Sequence, residues 1–196
     1  MSGYLIAALI VLFVGILIAV LLLRKRSVPP HKAAGNAGEE AAAAVIKRIL
    51  QKRDYCGRNV PVSFGGQKTE LDFVIVNRNG VFIIEVKNYS GKISGEEEAL
   101  QWKKSKTSQG GKTYEKFIEN PIPQVKREEY ILGNFLRSKG INVWVNGYIY
   151  FVRNNRPFQS RYLLNSGNEI DMAIHKKPDS LLNEKTIEHI VKTLHL

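Results

Sequence analysis

The chain has a single cysteine, Cys56, in 196 residues. No internal disulfide can form, and a lone thiol suits a reducing compartment. Histidine is also scarce. His175, His189 and His195 share no metal-ligand spacing and read as ordinary surface or packing residues. A phosphate loop is missing as well. Gly110 to Thr113 spells GGKT, but Lys106 stands where the first glycine belongs and no strong strand precedes it. There is no internal repeat and no low-complexity tract beyond Ala41 to Ala44. Acidic residues are in deficit: 29 Lys and Arg face 18 Asp and Glu, a formal net charge of +11. Such a balance favours polyanions, either nucleic acid or an anionic membrane leaflet, although excess lysine also serves solubility alone.

Charge is wholly absent before Arg24, and Tyr4 to Leu23 is an unbroken apolar run. At about 1.5 Å per helical residue it matches a hydrocarbon layer about 30 Å thick, so it reads as a transmembrane helix. A cleaved signal peptide fits less well, because no basic side chain precedes the run and the run exceeds the usual h-region. Arg24, Lys25, Arg26 and Lys32 follow at once, which places the remainder in the cytoplasm as the soluble part of a single-pass membrane protein. The expected organisation is an anchor with a basic flank over residues 1–26, a linker containing Pro29-Pro30 over 27–34, a domain over 35–155, and a C-terminal extension over 156–196 that packs on it.

Beyond the linker, Gly38 to Lys52 reads as a helix. Glu39 falls on the stripe of Ala43, Ile46 and Leu50, whereas Glu40 falls with Lys47 and Gln51. One carboxylate therefore turns inward, unless Glu39 merely complements the helix dipole. Arg58 to Phe64 reads as a strand closed by Gly65-Gly66. Thr69 to Asn88 reads as a hairpin turning at Asn77 to Gly80. Leu71, Phe73 and Ile75 take one face of its first strand and Glu70, Asp72, Val74 and Val76 the other. In the second strand Phe82, Ile84 and Val86 oppose Val81, Ile83, Glu85 and Lys87. A two-residue loop sets Asp72 opposite Lys87, and a four-residue loop sets it opposite Glu85. Gly95 to Lys116, with lysines interleaved with Trp102 and Tyr114, reads as a long mobile loop whose composition suits phosphate contact and base stacking. Asn120-Pro121 opens a helix with Asn as cap and Pro at the first position. Gln124 shares a stripe there with Glu128, Ile131 and Phe135, and a buried amide needs partners. Val143 to Val152 reads as a strand, Tyr162 to Leu164 as a weaker one, and Ser180 to Leu194 as a terminal helix. The order predicts an α/β domain with a mixed sheet.

The chemistry concentrates in Asp72 and Glu85-x-Lys87. Oxygen ligands from Asp72, Glu85 and the backbone carbonyl of Val86 suit a hard cation, Mg²⁺ or Mn²⁺, that keeps several waters. Lys87 can orient or deprotonate an attacking water and neutralise charge on a phosphate, and Glu39 can reach the site from its helix. A half-buried salt bridge between Lys87 and either acid is the plainer alternative.

Five stretches in order, GNAGE at Gly35 to Glu39, TELD at Thr69 to Asp72, the turn glycine Gly80, IEVKNYSG at Ile84 to Gly91 and NPIPQ at Asn120 to Gln124, resemble the motifs of the nuclease-related domain (NERD) family. That family is similar to the PD-(D/E)xK restriction-endonuclease-like superfamily. The resemblance covers Gly35 to Val152 and implies an αβββαβ core, Asp72 and Glu85 as metal ligands, Lys87 as the catalytic lysine, and supporting roles for Glu39 and Gln124. One departure is that Thr69-Glu70 precedes Leu71-Asp72 where a proline-aspartate pair is typical. The implied activity is metal-dependent hydrolysis of phosphodiester bonds, in DNA first. A noncatalytic membrane-tethered nucleic-acid-binding module is the alternative, and a domain whose basic face docks on anionic lipid is a third.

Overall fold

The computed structural model describes residues 3–24 and 30–196, leaving aside the side chains of 5–7, 20–24 and 30–32. The chain divides into two compact units, Met1–Ala34 and Gly35–Leu196. In the first, helix α1 covers Gly3–Arg24 and exposes Leu9, Val11 and Phe13. Among the described residues no helix is long and apolar enough to cross a membrane, so the span expected over Tyr4 to Leu23 is not supported by the structure. Lys25 and Arg26 and the front of the expected linker, 27–29, lie outside the described residues.

Helix α2 covers Pro30–Ile49, starting well before the expected Gly38. Proline is tolerated in a first turn, where its missing N–H has no helical partner, and Ala33 and Ala34 favour helix. Strands β1 (Tyr55–Phe64) and β2 (Gln67–Asn77) form an antiparallel hairpin. Gly65 and Gly66 close it at φ +57° and +79°, values that favour glycine. β2 pairs antiparallel with β3 (Gly80–Lys87), from Phe73↔Ile84 to Asn77↔Gly80. The loop is therefore Arg78-Asn79, and it carries the register on to Asp72 and Glu85. That combination of a two-residue loop with Asp72 opposite Glu85 differs from both expected ones, because pairing continues into the residues assigned to the turn. Asn77 braces it: Oδ1 accepts the Asn79 N–H at 2.8 Å and Nδ2 donates to the Ile174 carbonyl at 3.2 Å.

Between β3 and the next helix the chain builds a second sheet. β4 (Lys92–Ser94), β5 (Gln101–Thr107) and β6 (Thr113–Glu119) pair antiparallel in that order. The mobile loop expected over Gly95 to Lys116 is thus an ordered hairpin. Its strands lack apolar alternation because the hairpin is held by its backbone ladder, with Ile93, Trp102 and Ile118 reaching the core.

Helix α3 (Ile122–Ser138) starts after Pro121, and Asn120 Oδ1 accepts the Ile122 N–H at 2.9 Å. It leads to β7 (Val145–Phe151), which lies parallel to β3, and then to β8 (Leu163–Leu164), parallel to β7. The main sheet has the order β1-β2-β3-β7-β8. Two short helices complete the chain, α4 (Gly167–His175), which sequence patterning did not reveal, and α5 (Glu184–Leu194). The result is a mixed α/β fold with a mixed sheet. One face of the sheet buries Val74, Val76, Val81 and Ile83 against α3 and α5, while the other buries Phe73, Ile75, Phe82 and Ile84 against α2 and α4. Leu71 departs from its expected face and joins Val74.

His175 ties α4 to the segment before β1. Its Nε2 lies 2.9 Å from Asp54 Oδ2 and its Nδ1 2.6 Å from Asp171 Oδ1. Burial works against the imidazolium, but the two carboxylates outweigh it, and the His175 pKa is raised from 6.5. A raised histidine stabilises the fold fully below its unfolded pKa, and that stability is lost as pH rises through the folded value. His175→Gln is expected to cost about 1 kcal/mol at pH 6 and much less at pH 9 in urea melts. An equal cost at both would show that the charge contributes nothing.

Candidate functional site

Asp72 sits at a break in both of its ladders. Across from it, Asn59 has φ +51° and pairing skips from Arg58↔Phe73 to Val60↔Leu71. On the other side the β2–β3 ladder stops at Phe73↔Ile84. There Asp72 Oδ2 accepts the Val86 N–H at 2.8 Å, a side chain standing where a strand carbonyl would serve. The strands part beyond this point, and the gap lets α3 bring polar groups in.

A short network fills it. Lys87 Nζ donates to Glu85 Oε1 at 2.6 Å and to Gln124 Oε1 at 3.1 Å. Gln124 Nε2 donates to Glu85 Oε1 at 2.8 Å and to Glu128 Oε1 at 2.9 Å. Glu85 and Glu128 are buried, and Glu85 Oε2 and Glu128 Oε2 have no hydrogen-bond partner. Three acids and one ammonium thus share a space of low dielectric, with two acceptor oxygens unspent. Burial, reinforced by the charge of Glu85, pushes Asp72 up to about 7 against the opposing Val86 N–H and Lys87. Burial and the same neighbour push Glu128 up to about 7, against the Gln124 hydrogen bond. For Lys87, burial disfavours the charged form, yet Glu85, Tyr89 and Asp72 outweigh it and raise its pKa. Lys87 is therefore held as an ammonium.

Glu39 is half-buried on α2 and Glu40 exposed, in keeping with the helical period. A Cβ on Gly38 would lie 2.6 Å from the Asn88 Cβ, so α2 passes close to the end of β3. From there the Glu39 charge adds to the upward push on Asp72. Glu40 instead pairs with Arg58 at 2.7 Å. Sequence reasoning did not single out Glu128 as a site residue. Its signal was its place one helical turn after Gln124 on the buried stripe. Among the described residues no three or more His, Cys, Asp and Glu side chains form a metal-ligand cluster. A cleft of about 460 Å³ opens beside the network, bordered by Lys87, Tyr89, Asn120, Gln124 and Arg127.

Residues 34–152 match the family described as the nuclease-related domain. The chain belongs to the nuclease-related domain family. The match spans the helix carrying Glu39, the hairpin carrying Asp72, Glu85 and Lys87, and the start of α3 carrying Gln124 and Glu128, which ties the chain to nuclease-related function and to nucleic acid. A relative from Bacillus anthracis, itself described as an uncharacterized protein, is 28% identical over 194 residues, covering 94% of this chain and 87% of the relative. No solved structure matches the chain.

Proposed function

We propose that this nuclease-related domain hydrolyses phosphodiester bonds, DNA first, with Mg²⁺ or Mn²⁺ as cofactor. The observation that carries the reading is the convergence of Asp72, Glu85, Lys87 and Gln124 at a parted strand end beside an open cleft. The donor set suits a hard cation. Asp72 and Glu85 supply carboxylate oxygens, and Glu85 Oε2 is buried without a partner. The N–H and C=O of one strand residue point to the same side, so the Val86 carbonyl faces the gap beside Asp72. A cation bound there offsets charge on a phosphodiester and lowers the pKa of a bound water.

The chain's own residues do the rest. Lys87, as an ammonium, acts as a donor: it orients the attacking water and faces the charge that develops on the phosphate. This favours orientation over proton abstraction for that residue. Gln124 fixes the rotamers of Lys87 and Glu85 by bonding both, which is a positioning role. Glu39 supports the site by adding negative charge from α2.

A noncatalytic nucleic-acid-binding module is the second reading. It is favoured by the tight Lys87–Glu85 pair and by the Asp72 carboxylate being engaged with Val86 N–H, a cluster that satisfies much of itself. Detergent-solubilised full-length protein decides between them. Mn²⁺-dependent loss of linear and plasmid DNA that stops in EDTA supports hydrolysis, whereas EDTA-insensitive, salt-sensitive binding without cleavage supports the second reading.

Membrane anchoring and a cytoplasmic orientation rest on sequence alone, on the uncharged run Tyr4 to Leu23 and the basic residues after it. Protease treatment of intact spheroplasts should leave residues 35–196 protected. Digestion from outside would reverse the orientation.

A further inference from the structure

The β5–β6 hairpin contributes little to the core: six of the seven residues of β6 are exposed. Its base, by contrast, is held firmly. Trp102 is fully buried, its Nε1 donates to the Glu96 carbonyl at 2.9 Å, and its ring packs against Phe151 and Phe158. Asn120 Nδ2 donates to the carbonyls of Glu97 and Ala99 at 2.8 Å each. Gly91, at φ +89°, approaches the Ser105 carbonyl so closely that a side chain there would collide.

Charge is sorted between the two faces of this hairpin. Cross-strand partners share a face. Trp102↔Ile118 is followed outward by Lys104↔Lys116 and Lys106↔Tyr114, so the face that starts at the core continues as three lysines and a tyrosine. Lys112, at the turn, places its ammonium 5.4 Å from the Tyr114 ring centre. Among the described residues none of these four lysines is in an ion pair. The opposite face neutralises itself: Lys103 pairs with Glu115 at 3.3 Å and the hydroxyls of Thr107 and Thr113 bond at 3.1 Å. β6 then runs directly into Glu119, Asn120 and Pro121, which border the cleft of Lys87 and Gln124.

We propose that this hairpin is an arm that grips a nucleic-acid strand, with phosphates on Lys104, Lys106, Lys112 and Lys116 and a base stacked on Tyr114, and leads it to the cleft. Delivery to the cleft rests on the nuclease reading; the grip does not. Unpaired lysines on one face complement a phosphate chain, and an exposed tyrosine ring within that face offers the stacking platform that single strands use.

The test measures fluorescence anisotropy of a labelled 20-nucleotide single-stranded DNA with full-length protein in detergent and EDTA, across salt. Replacing the four lysines by glutamine should weaken binding at least about tenfold and lower the slope of log affinity against log salt by about 3, at about 0.7 per phosphate contact. Tyr114→Ala should weaken it about five- to a hundredfold with the slope unchanged. Near-UV circular dichroism from Trp102 reports that each variant keeps the arm's base. Unchanged affinity and slope in the four-lysine variant would overturn the proposal. So would loss of flotation on phosphatidylserine vesicles without loss of oligonucleotide binding, which would assign the face to lipid. Mn²⁺-dependent hydrolysis of bis(4-nitrophenyl) phosphate, a diester too small to reach the arm, keeps the two readings separate. If the wild type hydrolyses no diester while the binding results hold, the nuclease reading fails and the arm stands.

Discussion

Lys87→Ala is expected to lower Mn²⁺-dependent DNA cleavage by about 10²–10³-fold, the range for removing one preorganised donor that faces charge developing in the transition state. The side chain is the ammonium inside the network, and its loss leaves Glu85 Oε1 and Gln124 Oε1 without their Lys87 donor. Because an uncompensated buried carboxylate also destabilises the fold, the rate should be read alongside a urea melt. Asp72→Asn is the sharper companion. It preserves an acceptor for the Val86 N–H but removes the charge, so a structural role predicts near-normal cleavage and a ligand role predicts a loss similar to that of Lys87→Ala. A wild-type rate in both variants would place the chemistry elsewhere.

Glu128→Gln is expected to stabilise the cation-free protein at pH 8 while leaving it nearly unchanged at pH 4.5. The folded state holds Glu128 near 7, against an ordinary value of 4.5, so between those values the native protein binds more protons than the unfolded chain and stability falls as pH rises. At about 1.4 kcal/mol per pH unit the accumulated cost approaches about 3 kcal/mol at pH 8. Glutamine keeps the volume and can still accept from Gln124. Urea melts in EDTA at pH 4.5 and 8 measure it. An unchanged pH dependence would mean that Glu128 is ionised without penalty. A stabilised variant with impaired cleavage would indicate that the buried acid is retained for function at the expense of stability.

Much of this site was legible in the chain itself. Strand alternation placed Glu85 and Lys87 on one side of β3, and the 3.6-residue period turned Glu39 and Gln124 inward and left Glu40 outside. Those are local periodicities, fixed by backbone geometry whatever the surroundings. The order of the five motif stretches supplied the family. The helix α4 was missed although Ser166 caps it by accepting the Glu169 N–H, a Ser-x-x-Glu signal that the sequence did contain.

Other features needed the folded chain. The register of β2 on β3 depends on how far pairing runs into the Asn77–Gly80 turn, and that is settled by the Asn77 and Asn79 side chains reaching the Ile174 carbonyl almost a hundred residues away. Leu71 changes face because β1 opposite it breaks at Asn59. The lysine-rich hairpin is invisible to hydrophobic patterning, since its strands are joined by backbone hydrogen bonds while most of their side chains stay exposed. Glu128 reads as one more polar residue of α3 until Glu85 and Gln124 close around it. The sequence by itself determined which residues share a face along β3 and along α2 and α3, and which family the chain belongs to, because both are read from spacing and order. Only the tertiary structure decided that the strands part at Asp72 and that three carboxylates and one ammonium are confined together, because burial and mutual charge are properties of the packed interior and not of any single segment.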